Sequence, residues 1–203
     1  MLKSLKIFLF TCGLAIMPMN AAVVLFDNLG SPVQNDSYPD GSFTIGTSFG
    51  VDGGTYSVTS VKLKLQQLAN TALPVVSIWS DSGFDAPLAS IGTLLSPTLN
   101  FNVMEVATFT SPGIALTPNS KYWVVLDVTG GGQIDWVGGG GAISGVNNIE
   151  SHFEFNGAYY NSYPRIMQVN ANESVTATPE PGTLGVLLSG ATVLFAVRRR
   201  LVG

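Results

Sequence analysis

Alternating apolar and polar residues recur in the middle of the chain, at spacings of about ten residues that are typical of β domains. The clearest case is 61–65, where Val61, Leu63 and Leu65 alternate with two lysines, as in a strand with one buried and one wet face. No segment in this region has the apolar spacing and the caps of a helix. The same alternation predicts further strands at 23–28, 43–49, 75–79, 91–95, 104–110, 122–128, 134–137 and 166–170.

Turn-forming residues separate these predicted strands. Asn156-Gly157 supplies the two positive φ angles of a type I′ turn, which predicts a hairpin over 152–160. Many short strands joined by such turns form sandwiches or barrels, so we predict an all-β, two-sheet antiparallel sandwich of jelly-roll-like arrangement. Pro, Asp, Asn, Ser and Gly cluster at 31–32, 39–41, 52–54, 81–83 and 118–119.

A turn at Pro118-Asn119 is followed by Tyr122 at the start of a predicted strand. This arrangement resembles the tyrosine corner of Greek-key sandwiches, in which the phenol bonds back to the backbone a few residues upstream. An ordinary amphipathic strand would begin in the same way. In either interpretation the role of Tyr122 is structural.

The beginning of the chain has the pattern of a secretory signal peptide. Lys3 and Lys6 precede an apolar stretch at 7–17, and the small residues Ala21 and Ala22 follow. A basic start, a short apolar middle and small residues at the cut define such signals, so we expect cleavage after Ala21 or Ala22. A retained N-terminal anchor is the alternative.

The end of the chain carries the most specific pattern. Pro179-Glu180-Pro181 is followed by an uncharged apolar run at 183–197 and then by Arg198-Arg199-Arg200. The prolines fix φ and remove N–H donors, which keeps the tripeptide extended and outside a helix. The run has no polar face and ends on cations, so we predict a membrane helix with its arginines on the cytoplasmic side. It is short for a hydrocarbon core of about 30 Å, and a C-terminal core helix is the alternative.

This three-part tail resembles the PEP-CTERM sorting signal of Gram-negative envelope proteins. The resemblance implies that an exosortase, a membrane-embedded transpeptidase, recognises Pro179, Glu180 and Pro181 and processes the protein. It also implies transport across the inner membrane, transient anchoring by the C-terminal helix, and association with extracellular polysaccharide and biofilm matrix. We therefore expect a secreted envelope protein with a structural or adhesive role.

Short patterns spread over most of 23–172 carry a second resemblance; they lie at 26–28, 77–81, 116–118, 122–124 and 163–167. Together they resemble the choice-of-anchor R domains, which are extracellular β domains found ahead of PEP-CTERM or alternative anchors. That family has no established activity, so the resemblance implies a fold and no functional residues.

The two ends divide the chain into a signal peptide at 1–22, a β-sandwich domain at 23–175 and a sorting segment at 176–203. Five of the nine basic residues lie in the ends, whereas twelve of the thirteen acidic residues lie in the domain, which gives it a formal charge of −8. This acidity argues against nucleic acid as a partner. Because Cys12 is in the signal peptide, the domain has no disulfide and its core must hold it alone.

Two patterns are compatible with hydrolase chemistry. The segment 46–50 fits G-x-S-x-G around Ser48, but a nucleophile elbow needs a following helix, and Asp52-Gly53-Gly54 follows instead. A small-residue strand is the simpler interpretation, and we expect no catalysis there.

Paired carboxylates serve glycoside hydrolysis. Glu150 and Glu154 flank His152, the single histidine, and Asp127 and Asp135 flank a glycine loop. Nothing in these spacings forces either pair together, and a solvated sheet face explains them equally well. We therefore predict that the protein is not an enzyme.

Five aspartates lie in predicted turns, where carboxylates and backbone carbonyls can gather around Ca²⁺. No EF-hand spacing accompanies them, and turn aspartates usually cap their own backbone. We expect no cofactor, with Ca²⁺ as the alternative. The residues are Asp36, Asp40, Asp52, Asp81 and Asp85.

Several aromatic residues could form a flat platform for a matrix polysaccharide. Trp79, Trp136, Tyr159 and Tyr160 are the candidate sugar contacts, and Trp123 belongs to the same group. Packing in the core or at an edge of a disulfide-free sandwich is the competing interpretation. A carbohydrate-binding module is therefore the alternative function.

Overall fold

The computed structural model describes residues 19–35, 44–84, 86–139, 144–145, 152–155 and 164–175. Within these ranges the chain forms twelve strands and no helix, which confirms the all-β prediction. This part of the chain accordingly contains no helix long and apolar enough to cross a membrane. The strands are β1 (Met19–Asp27), β2 (Val33–Asn35), β3 (Thr44–Gly50), β4 (Tyr56–Gln67), β5 (Leu73–Asp81), β6 (Pro87–Thr93), β7 (Met104–Leu116), β8 (Lys121–Thr129), β9 (Ile134–Trp136), β10 (Gly138–Gly139), β11 (His152–Phe155) and β12 (Met167–Val175).

Two five-stranded sheets make up most of the structure. The first has the order β1-β12-β4-β7, with β9 pairing to one end of β4, and the second has the order β11-β3-β8-β5-β6. β10 and β2 form a separate two-stranded sheet. Neighbouring strands run antiparallel in all the strand pairs whose residue register the structure describes. Of the consecutive strands, β5 and β6 lie in the same sheet, and the chain changes sheet at all the other connections between the described strands.

One hydrophobic core lies between the two large sheets. In β4 the burial pattern alternates through Val61, Leu63 and Leu65, as the sequence predicts, because successive side chains of a strand point to opposite faces. These residues belong to the same buried cluster as Phe49 from β3 and Val124 from β8. Since strands of both sheets contribute to one core, the fold is sandwich-like, as predicted.

The predicted and observed strands differ mainly at their ends. β1 begins at Met19, so it includes both sides of the predicted signal cleavage, where Ala21 and Ala22 are exposed. The first strand of the predicted hairpin is β11, which pairs with β3. The rest of that hairpin, 156–160, lies outside the described residues. The strand predicted at 91–95 is β6 and lies earlier, at Pro87–Thr93.

The turn between β7 and β8 is held by Tyr122. The backbone N–H of Thr117 donates to the Tyr122 phenol oxygen at 2.6 Å, and the phenol O–H lies 3.5 Å from the Thr117 carbonyl. The Tyr122 ring packs on Phe49 with 5.9 Å between ring centroids. Asn119 takes a left-handed φ of 54° in the same turn. The tyrosine-corner prediction is confirmed.

The turn between β3 and β4 is built on Asp52. Its carboxylate accepts the Gly54 N–H at 2.9 Å and the Tyr56 phenol at 2.8 Å, and these donors hold the pKa of Asp52 below its ordinary value. Burial, together with the bond to Asp52, raises the pKa of Tyr56 to about 12. The Asp52 carbonyl accepts the Asn119 N–H at 2.7 Å, which joins this turn to the tyrosine corner.

The Tyr56 pKa predicts how stability depends on alkaline pH. Tyr56 titrates near 10.0 when free and at about 12 in the fold, so between these values the folded chain keeps a proton that the unfolded chain loses. The free energy of unfolding should therefore fall as pH rises through this window. Urea unfolding of the parent and of Tyr56→Phe from pH 9 to pH 12 measures the slope.

Tyr56→Phe should remove this part of the slope, because the variant has no phenol to titrate at that position. Tyr122→Phe is the matched control, since it deletes another buried phenol but leaves the Tyr56–Asp52 pair intact. A Tyr56→Phe variant that keeps the full parental slope would contradict the assignment.

Candidate functional site

Part of the predicted functional set lies outside the described residues, and those assignments stay predictions. They include the sorting motif, the terminal arginines, two of the aromatic candidates and several acidic residues. Of His152 and Glu154 the structure describes only the strand, β11. The residues outside are Pro179, Glu180, Pro181, Arg198, Arg199, Arg200, Tyr159, Tyr160, Glu150, Asp36, Asp40 and Asp85.

Ser48 does not lie on a nucleophile elbow. It is in the interior of β3, it is fully buried, and β3 is paired on both sides by β8 and β11. An elbow would place the serine on a sharp turn between a strand and a helix. The G-x-S-x-G match is therefore a small-residue strand.

Asp127 and Asp135 face opposite sides of the sandwich. Asp127 alternates with the inward-facing Leu126 of β8, and it accepts a hydrogen bond from the Thr44 hydroxyl. Asp135 alternates with the inward-facing Trp136 of β9, in the other sheet. Because alternate residues point to opposite faces of a strand, both carboxylates point away from the shared core. They do not form a catalytic pair.

The described turn aspartates cap their own backbone. Asp52 does so through Gly54, and Asp81 accepts the Gly83 N–H at 2.7 Å. Within the described ranges no three His, Cys, Asp or Glu side chains come close enough to hold a metal ion. The local capping interpretation therefore accounts for Asp52 and Asp81.

Trp136 is a core residue, and its prediction as a sugar contact is wrong. Its side chain is fully buried, and its indole N–H donates to the Ile166 carbonyl at 3.1 Å. In the β4–β9 pair it stands opposite Leu65, on the inward face. The register between β4 and β9 determines which side chain faces the core. A shift of β9 by one residue would have turned Asp135 inward and Trp136 outward.

Trp79 and Trp123 form a cluster on the outer face of the second sheet. They stand directly opposite each other in the β5–β8 pair, and together with Val125 and Ala86 they are separate from the main core. Trp123 is fully buried, whereas Trp79 is half-buried and donates its N–H to the Ser77 hydroxyl at 2.8 Å. Of the predicted aromatic candidates that the structure describes, Trp79 is thus the one with accessible ring surface.

Two charged side chains contact Trp123, one member of this tryptophan pair. The Trp123 indole N–H donates to the Asp81 carboxylate at 2.6 Å, and the Lys121 ammonium lies 5.1 Å from the centroid of the Trp123 ring. The second contact is a cation–π interaction, in which the cation is attracted to the ring face. Both contacts fix the orientation of Trp123, against which Trp79 packs.

A polar cleft adjoins the pair through Asp81 and Lys121. It has a volume of about 350 Å³ and includes one carboxylate, one ammonium group and several hydroxyls, and we call it the outer cleft. Trp79 does not line this cleft, but it packs against Trp123, which contacts both Asp81 and Lys121. A half-buried indole near such groups offers an apolar face and hydrogen-bonding partners, the combination that orients small polar ligands. The lining residues are Ser80, Asp81, Gly83, Thr117, Ser120, Lys121 and Tyr122.

Sequence reasoning did not place Asp81 and Lys121 at this site. Asp81 is 42 residues from Trp123 along the chain, and only the pairing of β5 with β8 brings the two together. Only the register between β5 and β8 identifies Asp81 and Lys121 as residues of one site with Trp123. The local sequence does not specify that register.

No family model matches the chain, and no curated protein sequence matches it. Among solved structures the chain is similar to one titled as the structure of infectious bursal disease virus, Gx strain. That similarity has 15% sequence identity and a TM-score of 0.33, and it covers 80% of this chain and 37% of the viral chain. At this level it supports no inference about function.

Proposed function

We propose that the protein is a non-enzymatic, secreted protein of the cell envelope and extracellular matrix, with a structural or adhesive role in biofilm matrix. The observation that carries the proposal is the order of the tail: Pro179-Glu180-Pro181, an apolar run at 183–197, and Arg198-Arg199-Arg200. An extended tripeptide ahead of an apolar helix is a substrate that an exosortase-type processing enzyme can bind.

The route and the partners follow from the two ends of the chain. The N-terminal segment directs secretion across the inner membrane, and the C-terminal helix anchors the precursor with its arginines in the cytoplasm until processing. The partners are the processing enzyme, the membrane and matrix polysaccharide. The acidity of the domain argues against nucleic acid.

The domain supports a structural role. Its described turn aspartates and Tyr122 are engaged in backbone hydrogen bonds, and its core holds without cysteine. The repeated passage between sheets favours a jelly-roll-like arrangement. The patterns shared with choice-of-anchor R domains favour an extracellular domain that presents a surface and carries out no reaction.

Carbohydrate binding is the second candidate, and the outer cleft is the observation that favours it. Asp81 and Lys121 offer polar groups in the cleft, and the half-buried Trp79 packs against Trp123, which both of them contact. A pyranose has apolar C–H faces and equatorial hydroxyls, which match such a site. Tyr159 and Tyr160 stay candidate contacts outside the described residues.

Deleting 183–203 tests the proposed sorting route. We expect the truncated protein to be lost from the envelope fraction and the mass change of processing to disappear, because the helix no longer holds the precursor at the membrane. Cell fractionation with mass spectrometry of the mature chain gives both readings.

The matched control replaces Pro179, Glu180 and Pro181 by alanine and leaves the apolar run intact. This variant should accumulate in the inner membrane as unprocessed precursor. The sorting role would be refuted if the parent, the deletion variant and the alanine variant were retained equally in the envelope and had the same mature mass.

Trp79→Ala tests carbohydrate binding at the outer cleft. Removing the ring should weaken binding to the matrix polysaccharide about tenfold, which corresponds to about 1.4 kcal/mol. Affinity electrophoresis of the folded proteins in gels containing the purified polymer measures the change. Phe101→Ala, which removes a half-exposed ring that does not line the cleft, is the control and should leave binding unchanged. Equal losses in both variants, or no binding by the parent, would eliminate this candidate.

A further inference from the structure

The exposed apolar side chains of the domain are concentrated in one stretch. Among the described residues eleven large hydrophobic side chains are exposed, and eight of them lie between 84 and 106. Isolated exposed apolar residues are ordinary, but a concentration of them marks an interaction surface. The eight are Phe84, Leu88, Ile91, Leu95, Phe101, Val103, Met104 and Val106.

Most of this stretch is free of charge, because its two acidic residues, Asp85 and Glu105, lie near its ends. Residues 86–104 contain no Asp, Glu, Lys or Arg, although the predicted domain carries a formal charge of −8. Surface positions normally carry charged residues, which keep copies of a protein apart. In this stretch both the apolar exposure and the lack of charge favour close approach by another molecule.

Three of these residues lie along one edge of the second sheet. Leu88 and Ile91 belong to β6, the last strand of that sheet, and Leu95 follows it. Leu95 and Thr110 of β7 exchange backbone hydrogen bonds of 2.7 and 3.2 Å, and Gly92 packs so closely on Ile114 that an added Cβ would lie 2.8 Å from its side chain. We call this side of the molecule the apolar edge, defined by Leu88, Ile91 and Leu95.

The edge strand β6 carries no charge against pairing, and its protection is limited to Pro87 and two register irregularities in its pairing with β5. It is paired with β5 on one side, and among the described residues no strand pairs with its other side. Pro87 occupies its first position, but the four residues that follow it are all exposed and none is charged. Natural edge strands usually carry lysine or another charge that prevents pairing with a second chain.

We infer that the apolar edge is a self-association surface, on which β6 of a second copy pairs antiparallel with β6 of the first. This pairing would join two five-stranded sheets into one continuous sheet and cover the exposed side chains on both copies. A two-fold axis places the same uncharged residues opposite each other, so no like charges meet.

The chemistry of the edge favours a second copy over other occupants. A lipid surface cannot satisfy the backbone N–H and C=O groups of a strand edge, because hydrocarbon offers no hydrogen bonds. A cationic partner would be recognised through acidic residues, which 86–104 lack. A second copy with the same net charge meets the least repulsion where neither copy is charged.

Disulfide trapping tests the geometry in the full-length chain, with Cys12→Ser as background. Antiparallel pairing about Ser90 brings the two Ser90 Cα atoms to about 5.5 Å, within the reach of a disulfide. We expect Ser90→Cys to give at least tenfold more covalent dimer under mild oxidation than Thr129→Cys, an exposed residue of β8. Both variants carry the same tail, so association through the tail raises both yields equally.

A charge at the edge tests the energetics. Ser90→Lys places two ammonium groups close together across the pairing and should weaken dimerisation at least tenfold in sedimentation equilibrium, while Thr129→Lys should leave it unchanged. Circular dichroism verifies that both variants fold.

Three results would overturn the inference. They are a parent chain that sediments as a monomer, equal disulfide trapping at positions 90 and 129, and a dimer whose stability is unchanged by Ser90→Lys. Binding of lipid vesicles or of an extended peptide by a monomeric chain would assign the edge to that occupant instead.

Discussion

The burial of apolar side chains between two sheets is the interaction on which the rest of the structure depends. The domain contains no cysteine, so its folding stability comes from side chains packed between the sheets. Leu63 and Phe109 of one sheet lie in the same buried cluster as Phe49 and Val124 of the other. Burying one large apolar side chain contributes about 1.5–3 kcal/mol. The Asp52 and Tyr122 turns then hold two of the passages between sheets. The Asp52 carboxylate and the Tyr122 phenol are thus engaged in hydrogen bonds that hold the fold. The surfaces proposed for function are therefore the outer cleft and the apolar edge.

The sequence predicted those parts of the fold that alternation controls. β4 alternates at 61–65 because one of its faces lies on the core, and the Tyr122 corner was recognisable because its residues are neighbours in the chain. β6 was placed too late, since an exposed edge strand has no buried face to impose a pattern. Trp136 was misassigned because its direction depends on the register between β4 and β9, which the local sequence does not specify.

Two outer surfaces differ in their chemistry. The outer cleft contains Asp81 and Lys121 and lies near the Trp79–Trp123 pair, and the β5–β8 register brings these residues together. The apolar edge is without charge and ends the second sheet. The two proposals assign these surfaces to a polysaccharide and to a second copy of the chain, both of which are compatible with the proposed role in an extracellular matrix.

Because the two sheets share one core, we expect them to unfold together. Native-state hydrogen exchange measures this, because it gives the opening free energy of each backbone amide. The central strands β4 and β8 belong to different sheets and have partners on both sides, so their slowest amides should exchange with the same free energy, equal to that of global unfolding. Two clearly different opening free energies for β4 and β8 would show that the sheets are held separately and would contradict the account.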